Sequence, residues 1–260
     1  MQENSLQMSR AERSALWQRR LFEAEAGLTR YLTEQHGGRD LAGWIAVRGE
    51  LFSGLPESDS EPAAWQRVFF RAQALMERFL ISRYGHGELR AWAEANAQVH
   101  RYVEPDHGQG ALDPVLRIAR QAELYASEYR LLPSGRDRAA VEIAHCAIWD
   151  YRERARSRGV PLSLKSPCEY CTHATAANIA VKGYLPHHEL LEGPDGHGCR
   201  WEAVATGEPA SGSRPSGPGA AAPDPRSGRP PRAGRGPAPD PRGAEHAGRP
   251  AAEGDGVCAA

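Results

Sequence analysis

From Gly207 to Gly256 the chain has no Val, Ile, Leu, Met, Phe, Tyr or Trp. A segment with nothing apolar to bury cannot offset the entropy of ordering, so residues 206–260 are expected to form a disordered tail. Its repeated pentapeptide, Ala222–Arg226 and again Ala238–Arg242, offers no apolar position for repeats to stack on. Nowhere does an apolar run approach the roughly 18 residues of a membrane-spanning helix. Met1–Arg20 holds no apolar stretch of the secretory kind. The formal net charge is −1, too small to gather nucleic acid or an acidic membrane surface. Metalloprotease and nucleophile-elbow motifs are missing. The glycines of "GHGELR" and "GPDGHG" lack the strand-then-helix setting of a phosphate loop. These absences imply a cytoplasmic protein that contacts neither nucleic acid nor membrane, and a homo-oligomer stays open.

What remains reads as mostly helical. Leu16/Trp17, Leu21, Ala24, Leu28 and Leu32 recur at three- and four-residue steps, predicting a helix from Arg10 to about Glu34. A shorter helix follows at 41–51. The apolar positions from Trp65 to Leu80 predict another, and 88–102 a fourth. Asp113-Pro114 reads as an N-cap with proline at the first helical position, opening a helix that runs to Tyr125. The period then changes to two, predicting a strand at 139–146 with Val141, Ile143 and His145 on one face. Further helices are expected at 147–158 and 171–184, and a turn and strand over 190–205. His187-His188 reads as a solvated loop. The expected class is α+β: an N-terminal helical bundle (1–64), a helical and small-sheet domain (65–205) on which it packs, and the tail (206–260).

Three of the five cysteines and four of the ten histidines fall between Ser166 and Ala203. Clustered cysteines in a reducing compartment more often bind metal or react than form disulfides. Cys168-x-x-Cys171 has the spacing at which two thiolates meet one zinc ion, and His197-x-Cys199 supplies two more ligands if the glycines beside His197 allow a bulged turn. Thiol chemistry is the other reading. Cys146 and Cys168 stand where helices begin, a position that lowers a thiol's pKa, with His145 and His173 nearby as proton carriers. Cys199 would line the same pocket. Each cysteine taken singly is also an ordinary core residue, and Cys258 lies in the tail.

The order "ISRYGHGELRAWAEA", "VEIAHCAIWDYRERARSRGVP", "SPCEYC" and "EGPDGHGCRWEA" resembles the L-2-amino-thiazoline-4-carboxylic acid hydrolase-like family, and more distantly 4-vinyl-reductase-type ligand domains. Cys146, Cys168 and Cys199-Arg200-Trp201 stand at the matching places, over about 75–205. The resemblance implies a helical bundle on a small sheet enclosing an organic ligand, and cysteine-dependent hydrolysis of a C–N bond in a small cyclic or amidine-like metabolite. The Cys-x-x-Cys pair departs from that pattern. "CEYC…GHGCRW" is similar instead to the zinc motif of phage head-morphogenesis proteins, with His197 one residue nearer and Trp201 for the last cysteine. Two expectations therefore stand: an enzyme without cofactor using Cys146 or Cys168, or a zinc module built on Cys168, Cys171, His197 and Cys199.

Overall fold

The computed structural model describes residues 6–133, 135–193 and 196–207. The expected tail, apart from its first residues, and Cys258 with it, lies outside the described residues. Among the described residues seven α-helices and a four-stranded antiparallel sheet make up the α+β fold: α1 Arg10–His36, α2 Leu41–Phe52, α3 Pro62–Tyr84, α4 Leu89–Val103, α5 Leu112–Leu124, β1 Glu128–Leu131, β2 Arg138–His145, α6 Ala147–Ser157, α7 Cys168–Ala180, β3 Tyr184–Gly193 and β4 Gly196–Ala205. A 3-10 turn at His86–Glu88 joins α3 to α4. The sheet order is β1-β2-β4-β3. Among the described residues no helix is long and apolar enough to cross a membrane.

The α1 helix forms the spine of the helical half. It starts with a capping box, in which Ser9 and Glu12 each satisfy the other's free backbone N–H, and stops at Gly37, whose left-handed backbone (φ 59°) a side chain would strain. Its stripe of Trp17, Leu21, Leu28, Tyr31 and Leu32 is fully buried with Trp44, Met76, Leu80 and Trp92 from α2, α3 and α4. Each such side chain contributes on the order of 2 kcal/mol of transfer free energy. At Gly27 the helix passes so close to α4 that a Cβ would lie 2.7 Å from the Cα of Asn96. That close crossing fixes where Asn96 stands.

A second apolar cluster joins α5 and α7 to the sheet. Val115, Ala119 and Ala122 pack with Val141, Ile143, Trp201 and Ala203 of β2 and β4, and with Ile179 of α7. Three details differ from the sequence expectation. Asp113 does not cap α5 from outside; it lies within the first turn and accepts hydrogen bonds from the backbone N–H groups of His107 and Gln109. The α7 helix begins at Cys168, three residues earlier than the periodicity suggested, and ends at Ala180. Residues 184–193, read partly as loop, form β3, paired with β4 from Tyr184↔Ala205 to Gly193↔Gly196. Pro186 is tolerated there because β3 is an edge strand, where a missing N–H need not break a ladder.

A β-bulge decides which way His145 faces. Tyr129 pairs with Ile143 and Glu128 with His145, so Ala144 is an extra residue on β2. The alternation of Val141 and Ile143 is interrupted there, and His145 turns to the opposite face of the sheet.

Candidate functional site

Where α1, α5 and α7 meet the inner face of β2 and β4 they enclose a cavity of about 200 Å³. Cys146, Cys168, Cys171 and Cys199 all line it, all as free thiols. Cys146 is the junction residue between β2 and α6, fixed by a backbone hydrogen bond from its N–H to the His197 carbonyl (2.8 Å). Cys168 and Cys171 lie on the first turn of α7, and Cys199 pairs with Ile143 across the β2–β4 ladder.

Of the proposed partners, His197 alone is brought to a thiol. Its Nε2 lies 3.5 Å from the Cys168 sulfur, and its ring stacks on Trp149 of α6 with centroids 3.7 Å apart and planes 17° apart. His145, turned outward by the bulge, hydrogen-bonds Asp150 (Nε2 to Oδ2, 2.7 Å) in a shallow surface depression and does not line the cavity. His173 faces a separate groove between α4 and α7. Neither can serve the thiols as a proton carrier. His188, expected in a solvated loop, is exposed but stands on β3, where it lines the cavity with its ring 4.3 Å from Trp201, and partial burial lowers its pKa.

The thiols are not acidified by their helix starts. Burial raises the pKa of Cys146 against the downward pull of the Trp149 and Ile148 amides, with no side-chain hydrogen bond capping α6. Cys168 is pushed up to about 12, first by burial and then by the charge its neighbours Cys171 and Cys146 would carry. Cys171 and Cys199 rise for the same reasons. Helix-terminus stabilisation is worth at most about 2 kcal/mol, and desolvation in this enclosed setting exceeds it. The resting cavity therefore holds thiols, not thiolates.

The expected zinc ligands share the cavity without converging on a point. Among the described residues, the group whose potential ligand atoms all lie within 4.8 Å of one another is Glu23, His100 and Glu104. That group is embedded in arginines: Arg20 and Arg117 both bond Glu23 and Glu104, and Arg120 bonds Glu104. Two buried guanidinium groups already neutralise the carboxylates, which disfavours a cation there.

This ion network is the part of the site that sequence reading missed. Arg20, Glu23 and Arg117 line the cavity at its helical end, with Gln73, Asn96 and Gln121. Arg20 donates from Nε to Gln121 Oε1 (3.0 Å) and from Nη1 to Glu23 Oε2 (2.8 Å) and Glu104 Oε2 (3.2 Å). The signal was available, because Arg20 and Glu23 flank the buried stripe of α1 at helical spacing from Trp17. Arg152 enters from α6, bonded through both terminal nitrogens to Glu77 of α3.

Comparison of the chain with protein-family models, with curated proteins and with solved structures finds no match in any of the three.

Proposed function

We propose that the protein is a small-molecule enzyme that hydrolyses a C–N bond, with Cys168 as nucleophile and His197 as its proton carrier. The observation that carries this reading is the 3.5 Å contact between Cys168 Sγ and His197 Nε2 at the wall of a partly open, thiol-lined cavity. A buried neutral thiol is a poor nucleophile until a base within hydrogen-bond reach takes its proton during attack. With its hydrogen on Nδ1, His197 offers Nε2 for that purpose, and stacking on Trp149 holds the ring in plane.

On an amidine or amide carbon, the Sγ–C bond forms as the thiol proton passes to Nε2. The C–N bond then breaks and the leaving nitrogen takes that proton. Water next attacks the same carbon, and sulfur leaves and regains a proton, so the net change is addition of one water. The resemblance of "VEIAHCAIWDY", "SPCEYC" and "GHGCRW" to thiazoline-carboxylate hydrolase-like sequences supports the same reaction class. The test is incubation with 2-amino-2-thiazoline and related cyclic amidines, following ring-opened product by chromatography. Activity that falls about a hundredfold or more in both Cys168→Ser and His197→Gln, with each variant folded by circular dichroism, is the expected result. Undiminished turnover in Cys168→Ser removes the proposal.

A second reading is a zinc module without catalysis on Cys168, Cys171, His197 and Cys199. It is supported by the gathering of all four around one cavity, with His197 Nε2 3.5 Å from the Cys168 sulfur, and it requires them to draw in on the ion and the thiols to ionise as it binds. About one zinc per purified chain, with unfolding on chelation, would favour it over the enzyme.

A further inference from the structure

The helical end of the cavity carries two unsatisfied atoms of opposite kind. Arg20 has spent Nε and Nη1, and its Nη2 has no partner; Glu23 has spent Oε2 on Arg20 and Arg117, and its Oε1 has none. Arg20 is 4% and Glu23 5% exposed, so bulk water does not reach them freely. A buried donor and a buried acceptor left open are costly, and such a pair calls for an occupant, whether an ordered water or a ligand. Arg20 Nη1 bonds Glu23 Oε2 directly, so the two open atoms are the second arms of paired planar groups. Both open atoms are covered by surrounding side chains, so a ligand meets them together only when the Arg20 and Glu23 heads turn toward the cavity as it enters.

From this pair we infer that the cavity recognises an uncharged head group carrying an acceptor beside a donor, as in a carboxamide, lactam or ureide. The inference rests on the cavity being the ligand site proposed above, and not on attack by Cys168. An acceptor such as a carbonyl oxygen satisfies Arg20 Nη2, and a neighbouring N–H satisfies Glu23 Oε1. A carboxylate would meet the first and be repelled by the second. Around the helical end of the cavity Arg20 and Arg117 face Glu23 and Glu104, and Lys182, whose Nζ bonds the Glu104 carbonyl, is paired with Asp106, so the charges balance and no surplus attracts an ion of either sign. Arg120 is one-third exposed and contributes mainly through solvent. Apolar body for the ligand is provided by Phe69, Ile118 and Ile143. Engineered cavities of about 150 Å³ admit benzene, so a single ring bearing the head group fits.

The probes are benzamide, benzoate and toluene, titrated by calorimetry and ligand-observed NMR into full-length Cys168→Ser protein, which separates binding from any thiol reaction. Benzamide should bind about ten- to a hundredfold more tightly than either of the others, the factor set by hydrogen bonds to charged partners. Glu23→Gln, nearly isosteric, leaves the buried arginines one charge in surplus and should invert the preference toward benzoate. Benzoate binding as well as benzamide in the Glu23-containing protein, equal binding of all three, or no binding of any at millimolar concentration overturns the inference. Persistence of hydrolysis in Cys168→Ser would overturn the proposed nucleophile and leave this assignment standing. Loss of the benzamide preference would do the reverse.

Discussion

Arg152 on α6 grips Glu77 on α3 with both terminal nitrogens, Nη1 to Oε2 at 3.0 Å and Nη2 to Oε1 at 2.6 Å, and Glu77 is 1% exposed. This fork ties the helix that follows Cys146 to the helical half, and Gln73 adds a third hydrogen bond to the same carboxylate. Removing one partner strands the other charge in the interior. Arg152→Met alone should cost about 3–5 kcal/mol, while the double change Arg152→Met with Glu77→Leu should recover most of it. Chemical denaturation of the two single variants and the double variant checks this; a single variant within about 1 kcal/mol of wild type would mean the pair is solvated.

The raised thiol pKa values set the pH range of thiol reactivity and of alkaline stability. In the folded chain Cys168 ionises near pH 12, against about 8.5 for an unperturbed cysteine. Above pH 9 the unfolded chain therefore binds fewer protons than the folded one, and stability contributed by this thiol is lost as pH rises from about 9 toward 12. Alkylation by iodoacetamide should be slow at pH 7 and climb with pH past 10, read by mass spectrometry of the Cys168 peptide. Cys168→Ala should flatten part of the alkaline fall in melting temperature. A rate that levels off below pH 8 would contradict both.

Much of the helical half was readable because burial there follows a single period. Trp17, Leu21 and Leu28 of α1 and Trp65, Phe69 and Met76 of α3 announce their faces without help from distant residues. The sheet was less legible for the opposite reason. Whether His145 faces inward depends on one extra residue, Ala144, whose bulge is defined only by pairing with β1, a four-residue strand too short to show a pattern. In β3, Pro186 and paired histidines look like loop, and only the ladder to β4 makes them strand. Cys146 and Cys168 could be grouped from their positions at element junctions, whereas Cys199, inside β4, joins them through the ladder to Ile143. Their acidity could not be read, since that depends on how completely the surrounding helices close over them.

Gly198 sits between His197 and Cys199 where β4 crosses the bulge of β2. A Cβ there would fall on the carbonyl oxygen of Ile143 and lie 2.8 Å from that of Ala144. These are backbone atoms and cannot swing aside, so Gly198→Ala should push β2 and β4 apart beside the cavity and cost about 1–3 kcal/mol. Gly49 is the control. It is exposed in the interior of α2 with nothing within 4 Å of its added Cβ, and Gly49→Ala should stabilise by about 0.5–1 kcal/mol. Thermal or urea denaturation should therefore move in opposite directions for the two substitutions. Equal shifts would place the tight β2–β4 approach in error.

His100 is 2% exposed in α4, and its Nδ1 makes no hydrogen bond, with Glu104 Oε2 3.4 Å away. Burial first, and then the Arg117 charge, lower its pKa to about 2, so it stays neutral in the folded chain through the mildly acid range. In the unfolded chain it protonates near pH 6.5. Below that value the unfolded state binds the extra proton, and stability falls as pH falls, by up to about 1.4 kcal/mol per pH unit. Glu104 adds to the effect only further down. Arg20 and Arg117 hold its pKa near 2 in spite of burial, so its contribution is present above about pH 4.3 and lost as pH falls through the folded value. Replacing His100 by Leu removes the proton sink without stranding a bonded partner. The variant should lose much of the decline between pH 6.5 and 5, His188 with its lowered pKa keeping a smaller share, while the steeper one below pH 4 remains. An unchanged profile in His100→Leu, measured by urea denaturation at each pH, would show that the acid sensitivity arises elsewhere.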